Sequence, residues 1–311
     1  MADWWLRPHR KDRLVTTPDH RDGRAAGNVA RDDARNLLVR IASALVLGPI
    51  VLVSAYIGGW LFLALCTVGG GGILWEWAVL IGRKADPRVL APGFAALAAA
   101  FAVTALDESV VTVVVAIAVG ALVAGLAARS PPPGAGASGG GIWAAGGVIY
   151  AGAAFLGPAL LRRDPQLGFV ALLFLFATVW MTDTFAFLCG RAIGGPPLWP
   201  SVSPNKTWAG AIGGLAGGVA GAAVVAYASG VGKWGIAGLM GLLLSVLAQL
   251  GDLFESAVKR RFGVKDTSHF IPGHGGLMDR LDGFLVAALA ALVIGVARQG
   301  TDAPAHGLLL W

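Results

Sequence analysis

The chain has 311 residues, 56% hydrophobic and 14% charged, with a mean hydropathy of +0.70. Soluble domains carry about 25% charged residues, so this composition excludes an ordinary water-soluble globule and points to a chain that crosses a membrane repeatedly. The net charge of +6 does not mark a nucleic-acid binder, because Lys and Arg gather in tails and loops between apolar runs. Cys66 and Cys189 lie in apolar segments without the neighbours that zinc or disulfide chemistry needs.

Residues 1–40 form a polar tail with nine Lys/Arg. Its charged part is too long for a cleavable signal peptide, and it is expected to lie in the cytoplasm near anionic lipid. Trp4 and Trp5 can dip into the interface. Nine apolar runs follow, predicting spans at 41–58, 60–81, 90–106, 109–127, 142–161, 168–188, 209–229, 234–254 and 283–298. The expected fold is an all-α polytopic bundle of about nine transmembrane helices. Small-residue stretches such as "GGLAGGVAGAA" (Gly213 to Ala223) suit close helix packing in lipid. A Pro/Gly-rich connector at 130–141 separates spans within an N-terminal set (41–161). A C-terminal region (162–298) holds the chemistry and a short tail (299–311) ends the chain. Glu76, in "LWEWAV", is expected near the cytoplasmic end of the second span, reaching water in a structural role.

Basic residues set the orientation. With the N-terminus in the cytoplasm, nine spans place 20 of the 24 Lys/Arg inside, and 11 against 4 without the tail. Arg162, Arg163, Lys233 and Arg298 fall outside, and the Arg162–Arg163 pair fits this topology least well. Two polar loops, Gly190–Gly210 and Ser256–Asp282, then share the cytoplasmic face, since one out-and-back pair of helices joins them.

Carboxylates are costly in a bilayer, at about 2.5–3.5 kcal/mol near a helix centre, so their positions carry information. Asp183, Asp252, Asp279 and Asp282 come from three predicted helices and converge at one depth on the face of these loops. Such a cluster needs a cation, and hard oxygen ligands beside a polyphosphate suit Mg2+. Lys206, Lys259, Arg260, Lys265 and Arg280 can neutralise phosphate oxygens. Ser203 and Thr207 add hydroxyls. Gly273, Gly275 and Gly276 let backbone N–H groups approach an anion, and His274 can touch a phosphate or orient a carboxylate. No Walker A loop occurs.

The stretch "SAVKRRFGVKDTSHFIPGHGGLMDRLDG" (Ser256 to Gly283) resembles the signature of the phosphatidate cytidylyltransferase (CDP-diacylglycerol synthase) family. Ser256, Lys259, Arg260, Lys265, Asp266, Pro272, Gly273, His274, Gly275, Gly276, Asp279, Arg280 and Asp282 match its pattern at the right spacing. "GDLFES" and "SPNKTWAG" resemble further family segments, while many members have Glu where this chain has Ala209. The likeness is strong over about 180–285 and topological over the first half. It implies transfer of a cytidylyl group from CTP to phosphatidate, in a bacterial inner membrane with the site facing the cytoplasm. It also implies Asp252 and Asp279 as metal ligands; from their position alone, Asp183 and Asp282 rank next, as ligands or orienters. Ser203, Lys206, Lys259, Arg260 and Lys265 would then face the substrates. A monovalent cation beside the Mg2+, and a homodimer, are compatible with these features. A CTP-dependent lipid kinase would use a similar site but release CDP and need a base, for which His274 would serve. A transporter would place its polar groups near the bilayer midplane, with repeated halves. Neither trait is visible.

Overall fold

The computed structural model describes residues 45–84, 86–130, 140–264, 268 and 276–311. The tail 1–40, residues 131–139 of the connector, and Lys265, Asp266, Gly273, His274 and Gly275 lie outside the described residues. Every expected span has a helix: α1 (Leu45–Ile57), α2 (Gly59–Leu80), α3 (Pro87–Ala105), α4 (Val110–Ala127), α5 (Gly141–Arg162), α6 (Gly168–Ile193), α7 (Trp208–Ser229), α8 (Trp234–Arg261) and α9 (Met278–Gln299). Among the described residues, α2 to α9 are long and apolar enough to cross a membrane, and α1 is shorter. A short helix, α10 (Pro304–Leu309), follows. In hydrocarbon no water can satisfy the backbone, so apolar runs close their own hydrogen bonds as helices. Their outward side chains, such as Val111, Leu122 and Ile212, are exposed because lipid is their solvent.

Helices α2 to α5 pack against one another, as do α6 to α9. Helix α5 joins the two groups: it touches α2, α4 and α9, and 83% of its apolar stretch is buried. The glycines of α7 bring it close against α6. A Cβ on Gly217 would lie 2.5 Å from the Met181 carbonyl oxygen, and one on Gly221 would lie 2.6 Å from that of Ala177, so only glycine lets α7 approach α6 this closely.

Contacts at the helix ends sort the bundle into two faces. At one, Trp143 at the start of α5 meets Phe262 just beyond α8, ring centroids 5.0 Å apart. There too Arg83, fully buried, reaches Asp86 at 2.9 Å and the Ala128 carbonyl at 2.7 Å. At the other face, Arg162 donates to the carbonyls of Ala55 and Tyr56, which end α1, and Arg163 pairs with Asp107. The arginine pair that fits the charge bias least well is thus held by helix-end oxygens. Asp164, on the same face, accepts from the N–H groups of Gln166 and Leu167 and pairs with His306. Burial works against its charge, yet the Leu167 N–H, His306 and the Gln166 N–H together hold its carboxyl below the usual range.

Three expectations need correction. Helices α6 and α8 run on to Ile193 and Arg261, and α9 begins at Met278, so each extends past its apolar run. Apolar length reports hydrocarbon thickness, and a helix continues beyond it at little cost. Lys259, Arg260 and Arg261 favour the negative end of α8, and Asp279 the positive start of α9. The 190–210 loop contains an antiparallel hairpin, β1 (Pro197–Trp199) with β2 (Ser203–Thr207), pairing Pro197 with Thr207 and Trp199 with Ser203. Finally, Glu76 is fully buried and does not reach water.

Candidate active site

Thr207 caps α7, its hydroxyl oxygen accepting from the Gly210 N–H at 3.1 Å. That cap turns the hairpin back over the ends of α6 and α8. Arg260 fastens the other side, its Nε donating to the Val202 carbonyl at 3.4 Å. Below the hairpin, Thr182 and Ser245 link α6 to α8 by a buried hydrogen bond of 2.8 Å. Helices α8 and α9 meet through two glycines. A Cβ on Gly251 would sit 2.7 Å from the Asp282 carbonyl oxygen, and one on Gly283 would sit 2.8 Å from that of Ala248. Each glycine adjoins an aspartate, so this contact brings Asp252 and Asp282 together.

Between these elements lies a half-open cavity of about 680 Å³, lined by α6, the hairpin, α7, α8 and α9. Asp183, Ser203, Lys206, Thr207, Asp252, Asp279, Arg280 and Asp282 line it, so the first polar loop, the described end of the second and four expected carboxylates share one space. Asn205, Arg191 and Gln249 line it as well and were not singled out from sequence. Lys206 is in ion-pair contact with Asp252.

Lys259 and Arg260 are not among the cavity-lining residues. The Lys259 ammonium is engaged at 2.9 Å by both Glu255 and Asp279, and Arg260 holds the hairpin. Asp279 also accepts from the Gly276 N–H at 3.1 Å. This brings Gly276 to a carboxylate on the cavity wall.

Among the carboxylates, Glu255 is the one that sequence reasoning missed. Ligand oxygens of Asp252, Glu255 and Asp282 lie within 4.8 Å of one another. Glu255 is buried, and its Oε1 has no hydrogen-bond partner among the described residues. The signal was available: Asp252, Glu255 and Lys259 fall on one face of a helix that continues to Arg261. Three clustered carboxylates with a buried, unsatisfied oxygen are the donor set of a hard divalent cation, so these residues fit Mg2+.

Comparison with known proteins gives the chain's family. Residues 38–296 match the cytidylyltransferase family. A phosphatidate cytidylyltransferase of Brucella suis is 41% identical over 270 residues, covering 86% of this chain and 97% of its own. That of Brucella melitensis is 40% identical over the same length. One from Staphylococcus haemolyticus is 42% identical over 140 residues, 44% of this chain and 52% of its own.

Proposed function

The chain belongs to the cytidylyltransferase family, and from that premise we propose how its cavity transfers the cytidylyl group of CTP to phosphatidate, leaving CDP-diacylglycerol in the membrane and releasing pyrophosphate. It is a multi-pass membrane nucleotidyltransferase of phospholipid biosynthesis. The observation that carries the mechanism is the cavity itself: carboxylates from three helices share it with Lys206 of the hairpin, Arg191 of α6 and Arg280 of α9.

A phosphate oxygen of phosphatidate attacks the α-phosphorus of CTP, and the bond to the β-phosphate oxygen breaks. The attacking phosphate is already ionised at neutral pH, so no side chain has to remove a proton. The barrier lies in bringing two anions together and in the charge that gathers on pyrophosphate. Lys206, Arg191 and Arg280 border the cavity and offset that charge. Ser203, Thr207 and Asn205 offer hydrogen bonds that orient the substrates. Lys259 acts from behind, holding Asp279 and Glu255 in place. Asp252, Glu255 and Asp282, with Asp279 and Asp183 beside them on the cavity wall, would hold Mg2+. When bound, Mg2+ supplies positive charge to the phosphate oxygens.

The decisive assay incubates purified protein with labelled CTP and phosphatidate, with and without Mg2+. The expected products are CDP-diacylglycerol and pyrophosphate, with turnover dependent on Mg2+. Release of CDP with a phosphorylated lipid would instead identify a kinase.

We further propose that the cavity opens to the cytoplasm, supported by the 11-to-4 bias of basic residues. With Cys66 and Cys189 replaced, a cysteine at exposed Ser201 should react with an impermeant thiol reagent from the cytoplasmic side only, and one at exposed Thr301 from the opposite side only. The reverse pattern would overturn the orientation.

A further inference from the structure

We propose that Glu76 is a positioning residue of the reaction: from α2, in the other half of the chain, it holds the first turn of α9 and so sets where Asp279 and Asp282 stand. Glu76 Oε1 accepts from the Leu277 N–H at 2.8 Å, and Oε2 accepts from the Met278 N–H at 2.6 Å. The Ser268 hydroxyl donates to Oε1 as well. Met278 opens α9, and the residue before it, Leu277, supplies no side-chain cap. A helix start leaves N–H groups without intrahelical acceptors and carries partial positive charge. Glu76 meets both needs from 201 and 202 residues away in the chain. The preceding turn of α2 closes on the same point, since a Cβ on Gly72 would come within 2.9 Å of Leu277 Cδ2.

The consequence for chemistry follows from spacing. Asp279 is the second residue of α9 and Asp282 lies one turn further, while their partners Asp252 and Glu255 stand on α8. If the first turn of α9 tilts or frays, two carboxylates move against two others. An ordinary cap would be a Ser, Thr, Asp or Asn at the Leu277 position. A carboxyl buried in another helix instead ties the N-terminal helices to the geometry of the site.

The inference rests on Asp279 and Asp282 belonging to that site, so its test includes a measurement independent of activity. Glu76→Gln keeps the size of the side chain but turns an amide N–H2 toward one of the backbone N–H groups. In the full-length, detergent-purified protein, kcat should fall about tenfold to a hundredfold, the scale of leaving a buried donor unsatisfied, with the KM for CTP little changed. Amide hydrogen exchange should quicken across 277–283 and stay unchanged in α3 and α4. Glu76→Asp, which keeps both acceptor oxygens, should recover part of kcat; if packing alone mattered, Gln would be near wild type and Asp worse. Wild-type kcat with unchanged exchange in Glu76→Gln would overturn the proposal, as would quickened exchange in all helices with normal kcat per folded molecule. Should Glu76→Gln fail to assemble, Ser268→Ala decides: it should show the same local exchange at smaller amplitude with a smaller loss of kcat, and no change in either would overturn the proposal. Full activity of Asp279→Asn and Asp282→Asn, with local exchange still altered in Glu76→Gln, would remove the site assignment and leave Glu76 an anchor without catalytic effect, which also overturns it.

Discussion

Asparagine in place of Asp252 or Asp279 should cut cytidylyl transfer by about a thousandfold or more while the helices stay assembled. Asn keeps the shape and one acceptor oxygen but removes the charge a hard cation requires. Asp252 stands in the carboxylate cluster and pairs with Lys206, and Asp279 is held by Lys259 and the Gly276 N–H. Either change therefore weakens the negative centre without opening a cavity in the core. The loss should be partly relieved at high Mg2+. Turnover measured against Mg2+ concentration, on variants whose thermal midpoints match wild type, checks this. Near-normal turnover with an unchanged Mg2+ optimum would take both residues out of the metal site.

Lys206→Ala should lower kcat/KM by about a hundredfold or more, whereas Lys233→Ala should stay close to wild type. Lys206 borders the cavity from β2, where the proposed reaction would gather negative charge. Lys233 is an exposed residue at the start of α8, the end of that helix away from the cavity. Lys259→Ala separates two roles that Lys206→Ala does not combine. It leaves Glu255 and Asp279 without their shared cation, and breaking a buried ion pair costs about 3–5 kcal/mol. Its thermal midpoint should therefore fall along with its activity, while Lys206→Ala loses activity alone. Equal activity in Lys206→Ala, Lys259→Ala and Lys233→Ala, measured with labelled CTP, would count against every cation role assigned above.

Asp183, Asp252, Asp279 and Asp282 were legible in the sequence because a carboxylate beside an apolar run is rare enough to notice. Glu255 was not, because the apolar run of α8 thins out by residue 254 and Glu255 then reads as loop. The hairpin was hidden for a different reason: strands this short, with prolines at 197 and 204, carry no period-2 signal. Lys259 and Arg260 read as phosphate ligands because both are basic and lie in the signature. Their placement against Glu255, Asp279 and Val202 depends on neighbours that only folding supplies.

The sequence by itself determined the order of the apolar helical runs, the shared face of the two polar loops and the chemical character of the site. Transfer into hydrocarbon is a local property of about 20 residues, and parity follows from counting them. Tertiary structure decided which carboxylates touch, which lysine faces the cavity and which one braces its wall, and that Glu76 reaches across the bundle to α9. Those outcomes turn on separations of a few ångströms between groups as much as 202 residues apart, set by where glycines let helices approach.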